Sequence, residues 1–134
     1  MVKIVTVFFF TLLLCVYTSF SFALPKCPKT GAMHNCSGTV ALDSGSKYVG
    51  DFVNGIYEGQ GAYTYADGEG YVGSFVNGRF QGQGTYHYVN GDKYVGEFKE
   101  GKKSGRGLYT RADGSSESGV FLDGEFIYQS GTKR

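Results

Sequence analysis

The chain has 134 residues, 22 of them glycine, and a formal net charge of +1 at pH 7. A charge this close to zero excludes global electrostatic steering toward nucleic acid or a membrane, and the length is that of one domain. Glycine at this level is typical of disordered chains when it is aperiodic, so its spacing decides the class of protein.

Residues 1–23 have the three parts of a secretory signal peptide. Lys3 supplies a positive charge, residues 4–16 are apolar, and the segment ends in small residues, of which Ala23 is the last. We therefore expect export, to the periplasm or out of the cell, after cleavage behind Ala23. The alternative is an uncleaved membrane anchor, because residues 4–24 carry no charge and are barely long enough to span a bilayer.

Residues 24–37 form an irregular lead-in that contains both prolines. Cys15 leaves with the signal peptide, so Cys27 and Cys36 are the cysteines that remain. An even pair of cysteines in a small exported domain indicates a disulfide. We predict a bridge between Cys27 and Cys36.

A 23-residue pattern fills most of the chain that follows. A decayed copy opens at Glu117, and three intact copies precede it, at residues 48–70, 71–93 and 94–116. A fixed period of this size indicates a repeat architecture. We predict a repeat domain over residues 38–128 and a polar tail over residues 129–134.

Each copy is predicted to be a β-hairpin. Residues 48–52 alternate in character, so Tyr48, Gly50 and Phe52 would share one face of a strand. Asn54-Gly55 follows, and a type I′ hairpin turn needs positive φ at both positions. A second strand then runs to the next turn. No helical period is found in these copies, which indicates an all-β fold.

The glycines of each copy share a face with large aromatic rings. A residue without Cβ lets a neighbouring ring lie flat on the backbone, and this contact compensates for a glycine in a strand. The ring and glycine positions that we assign this structural role are Tyr48, Gly50, Phe52, Gly59, Gly61, Tyr71, Gly73, Phe75, Gly82, Gly84, Tyr94, Gly96, Phe98, Gly105 and Gly107.

The lead-in aligns with the repeat frame as a degenerate first copy. Shifted by 23 residues, Cys27 falls on Gly50 and Cys36 falls on Gly59. If the two-residue turn fixes the register, residue 50 faces residue 59, and Cys27 faces Cys36 across a hairpin.

The fourth copy is expected to end the array. It has Glu117 at the tyrosine position, and Tyr128 is expected to cover the open end of the sheet. The last strand, residues 126–128, is apolar and has a free edge. An edge-to-edge homodimer is therefore one expected assembly.

The spacing Tyr-x-Gly-x-Phe-x-x-Gly-x-x-x-Gly-x-Gly recurs at residues 48–61, 71–84 and 94–107. It resembles the MORN (membrane occupation and recognition nexus) repeat. The resemblance implies an open, twisted antiparallel meander of repeated 23-residue hairpins, with a shallow groove. It also implies a non-catalytic module that binds a partner or serves as a scaffold.

No group of residues has the spacing of an active site or a metal site. His34 and His87 are isolated from each other, and both are predicted to be surface residues. The acidic residues recur with the turns, where Asp-Gly and Asn-Gly set the turn geometry. These are Asp67, Glu69, Asp92, Asp113 and Asp123. We predict no enzymatic activity, no metal, no cofactor and no nucleic-acid partner.

Basic residues gather around the third hairpin, and they are Lys99, Lys102, Lys103, Arg106 and Arg111. They predict a contact with anionic lipid head groups or with an acidic partner. The alternative is a solvated hairpin tip that protects the sheet from edge pairing.

Two functions fit these features. The first is a binding or scaffold module for a protein or another extended partner, at or near a membrane, using the rings of the groove face. The second is a peripheral membrane module that binds anionic lipid head groups through the basic tip, residues 99–111.

Overall fold

The computed structural model describes residues 23–29 and 31–129. They form one open antiparallel sheet in which the strands follow each other in chain order. The strands are β1 Cys36–Ala41, β2 Lys47–Val53, β3 Ile56–Thr64, β4 Gly70–Val76, β5 Arg79–His87, β6 Lys93–Lys99, β7 Lys102–Thr110, β8 Ser116–Leu122 and β9 Glu125–Gln129. The predicted all-β meander of repeated hairpins is confirmed.

The predicted signal peptide lies, except for Ala23, outside the described residues, as does the tail after residue 129. Within the described part of the chain, no helix is long and apolar enough to cross a membrane. Cleavage and export therefore stay predictions.

The hairpin tips have the predicted turn geometry. Asn54 has a φ of 52° and Gly55 a φ of 77°, as a type I′ turn requires. The same pair of positive angles recurs at the later tips, Asn77-Gly78, Glu100-Gly101 and Asp123-Gly124. A left-handed Glu100 shows that the turn geometry persists where the preferred asparagine is absent.

A β-bulge changes the predicted register inside each hairpin. Gly50 pairs with Gly61, so the expectation that residue 50 faces residue 59 is wrong. The bulge places Gly59 at a φ of 66°, and Gly82 and Gly105 have 65° and 64° in the next two copies. Glycine adopts this left-handed conformation at no steric cost, whereas a residue with a Cβ does so less readily. The bulge therefore favours glycine at these positions, which we had assigned to ring packing.

The aromatic core lies on one face of the sheet. Its buried hydrophobic side chains among the described residues are Cys36, Tyr48, Phe52, Tyr71, Phe75, Tyr94, Phe98 and Phe121. The Tyr48 ring lies over Gly50 and Gly61, and a Cβ added to Gly61 would be 2.6 Å from a ring carbon. The Tyr48 hydroxyl donates to the carbonyl of Asp51 at 3.0 Å. The predicted ring-on-glycine packing is confirmed, and it recurs for Tyr71 over Gly73 and Gly84 and for Tyr94 over Gly96 and Gly107.

Each hairpin tip is fixed to the hairpin before it. The Gly78 N–H donates to the carbonyl of Tyr57 at 2.9 Å, and the Asn77 N–H donates to the carboxylate of Glu58 at 2.9 Å. The same backbone bond, again at 2.9 Å, joins Gly101 to Phe80 and Gly124 to Lys103. Neighbouring repeats are therefore joined by these tip contacts in addition to strand pairing.

The disulfide between Cys27 and Cys36 is present, with the two Cα atoms 4.8 Å apart. The hairpin predicted to carry it is absent, because Lys26 bridges Ser37 in the parallel direction. The two prolines of the lead-in lack the N–H donors of a regular strand pair. The Cys27 side chain lies over Gly38. In each intact copy, a tyrosine ring lies over the glycine that corresponds to Gly38.

The last copy closes differently from our expectation. Tyr128 does not cover the open end, since it is 58% exposed. The Phe126 ring instead lies over Gly119 and packs against Phe121, with ring centroids 5.3 Å apart. Because Glu117 replaces the tyrosine there, the space above the glycine is free for Phe126. The homodimer through β9 stays a prediction.

Candidate binding groove

A second layer of side chains covers the buried rings and forms a groove on the same face. Each repeat contributes three residues to it, and together these are Tyr57, Tyr63 and Tyr65, then Phe80, Tyr86 and Tyr88, then Lys103, Tyr109 and Arg111. Tyr57 stacks on Tyr48 with ring centroids 3.9 Å apart, and Phe80 stacks on Tyr71 at 3.8 Å. The groove residues are half-buried, except for the exposed Arg111.

The groove rings follow one another without interruption across the repeats. Ring centroids are 4.7 Å apart for Tyr63 and Tyr65, and 6.3 Å apart for Tyr65 and Tyr86. They are 4.7 Å apart for Tyr86 and Tyr88, and 5.6 Å apart for Tyr88 and Tyr109. Two depressions, of about 380 and 310 Å³, lie along this row and share Tyr65 among their lining residues. The arrangement is a continuous aromatic surface that is open to solvent.

Carboxylates from the turns hold the groove tyrosines in place. Glu69 accepts a hydrogen bond from the Tyr86 hydroxyl, and Asp92 accepts one from Tyr109 at 2.6 Å. Asp92 also accepts from the backbone N–H of Ala112 at 2.9 Å. Both acids were predicted from the sequence only to set the turn geometry, and their hydrogen bonds to the tyrosines were not predicted. The sequence did contain a signal for these hydrogen bonds, because the acid and the tyrosine are 17 residues apart in both pairs.

The turn role is confirmed for other acidic positions. Asp67 accepts the N–H of Glu69 at 3.0 Å, and Asp113 accepts the N–H of Ser115 at 2.8 Å. These bonds to a residue two positions later are the Asx turns that aspartate forms at such sites.

The pKa values of the joined groups move apart. The hydrogen bond from Tyr109 and then that from Ala112 lower the pKa of Asp92. Burial, followed by the Asp92 carboxylate, raises the pKa of Tyr109 to about 12. Burial and then the bond to Glu69 raise the pKa of Tyr86 in the same way. The hydroxyls therefore stay protonated donors at neutral pH.

Replacing Asp92 with asparagine is expected to make the protein less sensitive to acid. The pKa of Asp92 in the folded protein is below its ordinary value of 3.8, so its contribution is complete above that value and is lost as pH falls through the lowered one. We expect the stability difference between wild type and Asp92→Asn to shrink between about pH 5 and about pH 2. Urea titrations at each pH measure it. A difference independent of pH would contradict the carboxylate's role.

The predicted basic tip does not form one surface. Lys99 pairs with Lys102 across the third hairpin, and the Lys102 ammonium lies 3.6 Å from the Asp123 carboxylate. Lys103 points to the opposite, aromatic face. The other two basic residues lie elsewhere, Arg106 in mid-strand on the outer face opposite Val120, and Arg111 beyond β7 in an ion pair with Glu117. Strand alternation separates neighbours such as Lys102 and Lys103.

The two histidines are far apart in the fold. His34 accepts a hydrogen bond from the backbone N–H of Asn54 at 3.3 Å, and His87 is exposed at the end of β5. Over residues 23–29 and 31–129, no three metal-binding side chains come together.

The MORN repeat family matches the chain at residues 48–70, 71–93 and 94–116. These consecutive matches cover more than half of the 134 residues. The chain belongs to the MORN-repeat family. No curated protein sequence matches it. The matched frame begins each MORN repeat at the tyrosine that lies over two glycines, so the family pattern describes the packing that holds the groove together. MORN repeats are generally binding or scaffold modules.

Proposed function

We propose that this MORN-repeat protein is a non-catalytic binding module whose groove takes an extended polypeptide segment of a partner. The observation that carries the proposal is the unbroken row of half-buried rings from Tyr57 to Tyr109. Tyrosine offers large contact area at low cost in conformational entropy, which suits it to protein interfaces. The row is long and narrow, as an elongated ligand requires.

The rings are also held in position before a partner arrives. Tyr86 and Tyr109 are fixed by their carboxylates, and Phe80 is fixed by stacking on the fully buried Tyr71. A preorganised surface loses little side-chain freedom on binding, which favours affinity. The dispersed basic residues give weaker support to lipid binding through the tip.

Selection from a phage-displayed library of random linear peptides tests the proposal. Peptides enriched on the wild-type protein are expected to lose binding to the double variant Tyr65→Ser, Tyr88→Ser, since both rings lie in the row and neither belongs to the buried core. The matched control is Val72→Ser, Val95→Ser on the outer face, where both valines are exposed.

Equal binding to the groove and the control variants would reject the groove as the binding site. Failure to select any peptide, together with binding to vesicles of anionic phospholipid, would favour the peripheral membrane function instead. Hydrolysis of a substrate by the purified protein would overturn the non-catalytic assignment.

We also propose that the protein acts in an exported compartment, the periplasm or the cell exterior. The disulfide between Cys27 and Cys36 supports this, because disulfides persist in oxidising compartments. Free thiols in the protein isolated from cells would oppose it.

A further inference from the structure

We propose that the groove has a direction and that its third-repeat end binds an acidic side chain of the partner at Lys103. The inference rests on the proposed function, since it assigns the chemistry of the segment that the groove takes. It names an acidic peptide as the occupant, with its carboxylate at the ammonium and the rest of its length along the ring row.

The first observation is a change of residue type along the groove. The position held by Tyr57 and Phe80 in the first two repeats is held by Lys103 in the third. The position held by Tyr65 and Tyr88 is held by Arg111. Two of the three groove positions therefore change from rings to cations in the same repeat.

The second observation is the environment of the Lys103 ammonium. Its Nζ lies 5.8 Å from the ring centroid of Tyr88, 5.6 Å from Tyr94, 5.2 Å from Tyr109 and 5.3 Å from Phe121. The rings attract a cation but do not neutralise it. Lys103 is half-buried, and this burial lowers its pKa. A carboxylate reaching this ammonium would meet a stronger field than at an exposed lysine.

No acid of the described chain forms an ion pair with Lys103. The acids on the neighbouring strands and turns are engaged elsewhere, Asp92 with Tyr109 and Glu117 with Arg111. Lys103 lines the depression of about 310 Å³ that continues along the ring row. Its ammonium is therefore the groove cation that a ligand can reach and that has no ionic partner in the described structure.

The continuity of the depression favours a peptide over a compact anion. Tyr65, Phe80 and Tyr88 line the same depression as Lys103, so a ligand at the ammonium also has rings beside it. A peptide with an acidic residue uses both, whereas an isolated phosphate uses only the charge.

The test uses a variant that the repeat itself suggests, Lys103→Phe, which places the residue of the second repeat in the third. Library peptides selected on the wild type are expected to share an acidic residue, and peptides selected on Lys103→Phe are expected to lack it. For a selected peptide, changing that residue from Glu to Gln should weaken binding to the wild type about tenfold and leave binding to Lys103→Phe unchanged.

The matched control is Lys99→Phe, which removes the same charge from the outer face of the same hairpin, where Lys99 pairs with Lys102. It is expected to keep the acidic preference, because Lys99, unlike Lys102, does not line the depression that contains Lys103. A loss of preference in both variants would show a general charge effect and would overturn the assignment of Lys103.

The outcomes separate this inference from the proposed function. Selected peptides that depend on Tyr65 and Tyr88 but show no acidic preference would overturn the role of Lys103 and keep the groove. No peptide selected on either protein would reject both. Binding of wild type to anionic vesicles, lost in Lys103→Phe without any peptide binding, would assign the ammonium to a lipid and overturn the peptide proposal.

Discussion

Replacing Gly84 with alanine is expected to lower the free energy of unfolding by about 3 kcal/mol, near the upper end for overpacked sites. The added Cβ would lie 2.6 Å from the Tyr71 Cζ atom. The ring cannot move aside, because Tyr71 is fully buried and its hydroxyl donates to the carbonyl of Ser74 at 3.0 Å. Urea unfolding measures the loss as a lower midpoint at unchanged slope.

Gly70→Ala provides the matched control in the adjacent strand. A Cβ there would have its nearest neighbour, the Tyr63 carbonyl oxygen, at 3.3 Å, and neither glycine has a positive φ. We expect a change of about 0.5 kcal/mol or less. Equal losses in the two variants would attribute the effect to chain flexibility and would remove ring-on-glycine packing from the account of stability.

Replacing Tyr71 with alanine is expected to cost about 3–5 kcal/mol, the range for truncating a large buried aromatic residue. The ring is wholly buried and stacks on Phe80 of its own repeat at 3.8 Å. It also meets Phe98 of the next repeat edge-on at 4.9 Å. The variant therefore loses contacts inside one repeat and between two.

Val72→Ala is the control for this truncation, because the adjacent side chain points to the outer face and is 55% exposed. Its cost is expected to be about 0.5 kcal/mol. Thermal unfolding of both variants against wild type makes the comparison. If Val72→Ala were as damaging as Tyr71→Ala, the single-faced core would be wrong.

The parts of the fold that depend on local sequence could be predicted. Asn54-Gly55 specifies its turn through the φ angles that these two residues tolerate, and the turn then pairs the residues beside it. The packing of an aromatic ring on glycine followed from the face that rings and glycines share and from the missing Cβ. Such features need only a few neighbouring residues, so a single repeat contains the information.

The bulge at Gly59 could not be predicted from the alternation of side chains. The alternation of side chains is compatible with a regular strand and with a bulged one. Whether the bulge forms depends on pairing with the neighbouring strand. The disulfide was predicted although its hairpin was not. A bridge needs only that two cysteines come within reach, and Cys27 reaches Cys36 by a parallel approach.

The groove was partly predictable. Its aromatic face followed from the repeat. The hydrogen bonds that Glu69 and Asp92 accept from the tyrosines were missed, because they join residues of successive copies. The separation of Lys102 from Lys103 was available from strand alternation. The basic residues are close along the chain but lie on two faces of the strand, so they do not form one surface.

The tip contacts give every junction between repeats the same connection. The bonds from Gly78 to Tyr57, from Gly101 to Phe80 and from Gly124 to Lys103 use only backbone atoms, so they do not depend on which side chains occupy those positions. A duplicated copy could therefore be inserted at any junction without a new interface. Each insertion would add two strands, or about 10 Å of sheet. The length of the binding surface can then change by duplication of a repeat within the gene, whereas point mutation at the groove positions changes what the surface binds.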